Sequence, residues 1–321
     1  MDEIRDRSID ILRGFALFAM VIGNFLLNLA WIPNWLKHAP DIGYTFVDLG
    51  APAFMFVIGL NYVTSARRRL KQDGSIKMTR HFLLRYLAIL GLGSIFGAGQ
   101  AMMQINDVTV NWGVLQAIGM AGLITLVFIH QPTWLRLAIG LTILSAYQFL
   151  LDRFWLDAVL ASPHGGLPGS MSWAGLLILA TVLADLYHDR KAGGIIRLVI
   201  ASTVCIIVAL VLSAWFPISK NRVSETYILL SLGLSGWFFW VFHLLVNHLK
   251  MKMELFTWWG RNPLILYILH LFLQGLFTLP FGPNWTQAAP PWLVSLLVVT
   301  LLVILTLIAR YLDRKKILFS I

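Results

Sequence analysis

A few side chains near the start of the chain have the types and spacing to do chemistry. Asp10, Arg13, Asn24, His38 and Asp48 stand in otherwise apolar or aromatic surroundings, in RSIDILRGFALFAMVIGN, LKHAPDIG and YTFVDLGAPAFMFVIG. A charge at the centre of a bilayer costs at least about 2.5–3.5 kcal/mol. Such groups therefore face a protein interior or a wet cavity. Asn24 falls deep in a first apolar helix, His38 in the connection that follows, and Asp48 at the start of a second helix. Pro40 and Gly43 bend the connection. A carboxylate beside an imidazole fixes its tautomer and raises its basicity. A histidine held in this way takes a proton from an incoming hydroxyl or amine. An asparagine amide nearby donates to a developing oxyanion. The plain alternative for a loop histidine is solvated surface, and spacing alone does not choose between the two.

Other polar residues allow both structural and functional readings. Asp10 and Arg13 are three apart, on one helical face. They either neutralise each other at a helix end or leave Arg13 to grip an anion such as a phosphate, which suits the guanidinium fork. In FPISKNRVSETYILL, Ser224 is placed to cap a helix, and Lys220 to bind an acidic acceptor or pair with Asp48. Gln116, inside NWGVLQAIG, is interhelical glue or cavity lining. Tyr267 and His270 in GRNPLILYILH are three apart and read as a buried, satisfied pair. The run ARRRLKQDGSIKMTR is an ordinary basic loop that can also steer a polyphosphate. No Gly-rich phosphate loop, zinc spacing or nucleophile elbow occurs. Cys205 lies within an apolar run, where burial disfavours the thiolate.

The elements that must position these residues follow from composition. The chain has 321 residues, 58% hydrophobic and 12% charged, with a mean hydropathy of +0.76. A soluble domain carries about twice that charged fraction. The sequence predicts an all-α, polytopic integral membrane bundle forming one domain over 1–321. About ten spans are expected, at 10–30, 46–65, 81–100, 112–130, 134–151, 171–188, 195–216, 226–247, 262–280 and 291–310, each near the roughly 20 residues a bilayer needs. The net charge of +10 reports topology, not nucleic acid. Twenty lysines and arginines, among them Arg5, Arg67, Arg136, Arg190 and Lys191, fall on one side of the predicted spans. Only Lys37, Arg153, Lys220 and Arg222 fall on the other, which places both termini in the cytoplasm. The N-terminal MDEIRDR mixes acids and bases and does not read as a cleaved signal. Trp31, Trp35, Trp258, Trp259, Trp285 and Trp292 are expected as interfacial indoles at helix ends.

The segments RSIDILRGFALFAMVIGN and KHAPDIGYTFVDLGAPAFMFVIG resemble helix one, the histidine loop and helix two of the heparan-alpha-glucosaminide N-acetyltransferase family, within the wider group of transmembrane acyltransferases. GVLQ at 113–116, FPISKN at 216–221 and GRNPLILYILH at 260–270 follow in the family's order. The resemblance implies that acetyl-CoA binds from the cytoplasm and that its acetyl group reaches a sugar amine on the far side. The family's catalytic histidine falls on His38, its companion asparagine on Asn24, and the acid after the loop on Asp48. Val110, Trp112 and Ala117 depart from the family's usual residues around GVLQ, and the Asn24–His38 segment is longer.

The expected function is therefore a multi-pass acyltransferase of a bacterial inner membrane, without a metal. It would move an acetyl group from cytoplasmic acetyl-CoA to an amino sugar or glycan outside, with a homodimer left open. Arg13, Arg85 and Gln116 are assigned to the donor, and Lys220 and Ser224 to the acceptor. The alternatives are a transporter or flippase of an unrelated solute, for which the repeated halves of such folds are not evident, and a non-catalytic relative.

Overall fold

The computed structural model describes residues 6–26, 29, 31–102, 112–189, 193–278, 285 and 289–319. Among these residues all regular elements are helical. They are α1 (Arg7–Leu26), α2 (Gly50–Met102), α3 (Val114–Phe128), α4 (Thr133–Leu150), α5 (Leu156–Leu160), α6 (Gly166–His188), α7 (Gly194–Leu212), α8 (Glu225–Asn247), α9 (Glu254–Arg261), α10 (Pro263–Thr278) and α11 (Pro291–Arg314). Tight 3₁₀ turns at Asn34–Leu36 and Phe46–Leu49 stand on either side of His38 in the chain. Seven helical stretches among the described residues are long and apolar enough to cross a membrane, and Val114–Phe128 and Pro263–Phe277 are shorter apolar helices. The protein is a helical membrane protein. Arg5, Val110, Arg190 and Lys191 lie outside the described residues.

Several boundaries differ from the sequence reading, each for a local reason. α1 begins at Arg7 because the Asp6 carboxylate accepts the Ser8 backbone N–H at 2.9 Å, an N-cap. The basic stretch expected as a loop between two spans is helical on both sides of Gly74, since Arg, Lys and Leu are good helix formers. Only Gly74 breaks the helix, at φ 79 and ψ 171, a conformation that favours glycine. α6 starts at Gly166, earlier than predicted, because Pro168 falls in its first turn, where a missing N–H is harmless. α9 was not foreseen as a helix. It buries Trp259 completely, with the indole N–H donated to Thr306 Oγ1 at 3.1 Å. Trp259 is thus a core residue and not an interfacial indole.

The described residues form two compact units. The first comprises the chain up to His38, Thr45–Phe54 and the part from Phe238 onward. Here α1, α9, α10 and α11 pack around Leu17, Val21, Phe25, Trp259, Leu266 and Leu301. α1 and α9 approach closely because two glycines meet. A Cβ on Gly14 would lie 1.9 Å from the Phe256 carbonyl oxygen, and one on Gly260 would lie 1.8 Å from that of Asp10.

The second unit comprises Ala39–Tyr44 and Met55–Trp237. α6 is its centre, with α3, α4 and α7 against it, and Leu176, Leu177 and Ile178 fully buried. Arg136, counted above among the charges on one side of the spans, is a buried structural group at 1% exposure. It pairs with Asp185 and donates to Thr181 Oγ1 at 2.6 Å. Thr133 Oγ1 also donates to Asp185, at 2.6 Å, and Arg67 adds an ion pair at 2.9 Å.

Candidate functional site

His38 and Asp48 form a tight pair in the first unit. His38 Nδ1 is 2.6 Å from Asp48 Oδ1. An ionised carboxylate only accepts, so Nδ1 carries the proton and Nε2 is left as the basic nitrogen. The Asp48 side chain is fully buried, while that of His38 is 31% exposed. The imidazole therefore presents one edge outward and is anchored by the other.

The anchor is built by the start of the 46–49 turn. Asp48 Oδ2 accepts the Thr45 backbone N–H at 2.9 Å. Asp48 N in turn reaches the Thr45 side chain in a capping box, which satisfies two otherwise orphan backbone donors. The Thr45 hydroxyl donates to the Lys37 carbonyl at 2.6 Å. Residue 45 thereby fixes both the acid and the backbone immediately before His38. One carboxylate oxygen serves the fold and the other serves the histidine.

Asn24 is engaged elsewhere. Its Nδ2 lies 3.2 Å from His270 Nε2, and its backbone carbonyl accepts Gln274 Nε2 at 3.2 Å. His270 and Gln274 are one helical turn apart on α10, so one face of α10 grips one residue of α1. His270 is fully buried and also stacks edge-on against Tyr267, with ring centroids 4.7 Å apart. The sequence reading found the ring pair but missed the hydrogen-bond partner. The available signal was that Asn24 and His270 are each a polar group in an apolar helix.

The remaining candidates are placed as follows. Arg13 Nη1 is 3.0 Å from Asp10 Oδ1 and donates to the Gly260 carbonyl at 2.9 Å. The self-neutralising pair is present, and it is also tied to α9. Arg85 lies on α2 in the second unit, with no hydrogen-bond partner at Nε among the described residues. Gln116 Oε1 accepts the Gly113 backbone N–H at 2.9 Å. It therefore closes the first turn of its own helix, which neither reading of Gln116 anticipated. Ser224 Oγ accepts the Tyr227 backbone N–H at 3.3 Å and caps α8. Lys220 sits in the turn just before that cap, where its carbonyl accepts the Val223 N–H.

That turn is held to the 39–44 segment. Arg222 Nε lies 3.0 and 2.9 Å from the two Asp41 oxygens, and a second guanidinium nitrogen bonds Asp41 as well. The Ser219 hydroxyl donates to Asp41 at 3.0 Å, and Gly43 N–H to the Ile218 carbonyl at 2.8 Å. The guanidinium holds the Asp41 carboxyl below the usual carboxylate range, against a smaller opposing effect of burial. No group of three or more histidine, cysteine or acidic side chains able to hold a metal occurs among the described residues.

A helical membrane protein with a carboxylate-held histidine at the start of a span is the class that fold and geometry define. The family model described as heparan-alpha-glucosaminide N-acetyltransferase, catalytic, matches residues 5–177. The chain belongs to this family, one of N-acetyltransferases. The matched stretch contains Asn24, His38, Asp48 and Gln116, and ends within α6. No curated protein matches the chain.

Proposed function

We propose that this protein is a transmembrane acyltransferase. It takes an acetyl group from cytoplasmic acetyl-CoA and delivers it to an amino sugar or glycan on the outer side of a bacterial inner membrane. The observation that carries the reading is the His38–Asp48 contact of 2.6 Å inside the region matched by the family.

In this reaction His38 Nε2 takes a proton from the acceptor amine or hydroxyl. The acceptor atom attacks the thioester carbonyl carbon, the C–S bond breaks, and the leaving thiolate recovers the proton. Asp48 holds the imidazole in the productive tautomer and stabilises its protonated form. Asn24 directs an amide N–H at the carbonyl oxygen as negative charge develops. His270 accepts one of the two Asn24 N–H groups, which leaves the other for this task.

Arg13, with its guanidinium fixed by Asp10 and Gly260, and Arg85 supply positive charge for the donor's phosphates. Gln116 shapes the donor path by fixing the start of α3. Lys220 and Ser224 are assigned to the acceptor. We assign all of this to one catalytic domain with about ten spans and both termini in the cytoplasm, a count that takes the two arms of α2 separately and includes α3 and α10.

The test is transfer by the purified full chain from radiolabelled acetyl-CoA to a panel of amino sugars and envelope glycans. Wild type should label at least one acceptor, and His38→Ala should label none while eluting as a folded protein. Equal turnover by the two proteins would remove His38 from the mechanism.

A further inference from the structure

Four arginines from three helices surround one cavity of about 320 Å³ in the first unit: Arg7 of α1, Arg261 of α9, and Arg310 and Arg314 of α11. Two carboxylates, Glu254 and Asp313, also line it. Asp313 is already committed to an ion pair with Arg261. Among the described residues no carboxylate forms an ion pair with Arg7, Arg310 or Arg314. The Arg310 guanidinium lies over the Trp258 ring, 5.3 Å from its centroid. The cavity is therefore a polar recess with cationic charge in excess and an aromatic shelf on one wall.

The helix that supplies two of these arginines carries a second feature. Leu296, Val299, Val303 and Leu307 are each more than half exposed. Their spacing of three and four puts them on one face of α11. Arg310 is seven residues beyond Val303, and Arg314 seven beyond Leu307, so the apolar stripe runs into the arginines on the same face. α11 is one of the helices able to span a membrane. Acyl chains belong along the stripe, and whatever fills the recess at its end meets guanidinium forks that match phosphate oxygens.

We propose that the recess is a phosphate site occupied by the headgroup of an anionic phospholipid, whose acyl chains lie along α11 from 307 toward 296. A soluble phosphate ester would use the arginines but make no use of the stripe, which is why the lipid is assigned. The proposal does not rest on the acyl-transfer reading, and its failure would leave that reading intact.

The experiment is thermal melting of the purified full chain in detergent, titrated with phosphatidylglycerol or with phosphatidylcholine of the same acyl chains. Phosphatidylglycerol should raise the melting temperature of the wild type, and phosphatidylcholine should not. Each basic side chain near a membrane surface contributes about fivefold in affinity for anionic lipid. The double variant R310Q/R314Q should thus bind phosphatidylglycerol about 30-fold more weakly. R68Q/K71Q, which removes two exposed charges from α2, should respond as wild type and controls for net charge. Equal response to both lipids, or an unchanged response in R310Q/R314Q, would overturn the proposal. ADP tests the soluble source: melting stabilised by ADP and not by phosphatidylglycerol, and lost in R310Q/R314Q, would overturn the lipid assignment.

Discussion

Asn24 and His270 lie 246 positions apart in the chain and meet side chain to side chain, amide nitrogen to imidazole Nε2. The contact crosses from α1 to α10 and joins Asn24, within the region that carries the family match, to a residue beyond its end. Because Asn24 Nδ2 can only donate, His270 must offer a bare Nε2 here, which makes it the neutral Nδ1–H tautomer. The Asn24 amide is thereby held in one orientation. For a residue proposed to stabilise an oxyanion, orientation matters as much as presence.

This relation predicts a coupling. His270→Phe keeps a buried ring but removes the acceptor, so Asn24 loses its restraint. Acetyl transfer should fall about tenfold in His270→Phe and by about 10²–10³ in Asn24→Ala, the range for loss of one oxyanion donor. The double variant should be no worse than Asn24→Ala, since His270 acts through Asn24. Initial rates at saturating acetyl-CoA for the four proteins decide it. Strictly additive losses would mean that His270 serves another purpose.

Asp48 invites a different comparison. Asp48→Asn retains an acceptor oxygen and the size of the side chain but removes the charge that stabilises a protonated His38. Transfer should drop by about 10²–10⁴, as expected when acid–base help is lost, while the capping-box geometry survives in part. Thr45→Val removes the hydroxyl that bonds the Lys37 carbonyl and leaves the His38–Asp48 pair in place. It should cost about 1 kcal/mol of stability and much less activity. Melting curves and rates measured on both variants separate the structural and chemical roles of this corner.

The sequence carries some of this and not the rest, for physical reasons. Apolar runs near 20 residues identify spans directly, because the bilayer forces each span to be long and greasy. His38 and Asp48 are ten residues apart and separated by bending residues, so their meeting is a local matter that the chain displays. Asn24–His270 and Gly14–Gly260 depend on which helices pack together, and nothing near either residue encodes that. The burial of Arg136 was not legible for a related reason. Charge at the end of an apolar run reads as a solvated loop, and only the Asp185 carboxylate from another helix explains its burial.

That Arg136–Asp185 pair gives a stability prediction. Asp185→Asn leaves Arg136 buried without its counter-ion, and removing one partner of a buried ion pair costs about 3–5 kcal/mol. The variant should express poorly or melt well below the wild type. Arg136→Met together with Asp185→Leu removes both charges and should recover much of the loss. A double variant as unstable as Asp185→Asn alone would show that the hydrogen bonds to Thr133 and Thr181, rather than charge balance, dominate there.

The Asp41–Arg222 pair sets a pH dependence. Folding lowers the Asp41 carboxyl from its ordinary value, chiefly through the Arg222 hydrogen bonds. The stabilisation is therefore fully present above the ordinary carboxylate value of about 4 and is lost as pH falls through the lowered one. The arginine stays charged throughout, and its own raised value adds no dependence in this window. The Asp41 side chain is 37% exposed, so screening limits the contribution to about 1 kcal/mol or less. Wild type should melt slightly higher than Asp41→Asn between pH 5 and pH 7, by the same margin throughout, and the two should converge in the acid range. A margin that grew on acidification would contradict the assignment.

The crossing of α1 and α9 can be tested with a single methyl group. Gly14 and Gly260 face each other's helices so closely that an added Cβ meets a backbone carbonyl oxygen at under 2 Å in both cases. Backbone cannot rotate aside as a side chain can, so the helices must separate, and the Arg13 hydrogen bond to the Gly260 carbonyl is strained with them. Overpacking of this kind typically costs about 1–3 kcal/mol or more, well above the roughly 0.5–1 kcal/mol that alanine gains over glycine within a helix. Gly14→Ala and Gly260→Ala should each lower the melting temperature in detergent. Gly91→Ala, on the second arm of α2 with nothing within 4 Å of its added methyl, should leave it unchanged or raise it. If Gly260→Ala melts like Gly91→Ala, then α1 and α9 do not pack through their glycines, and the route by which Arg13 is anchored must be different.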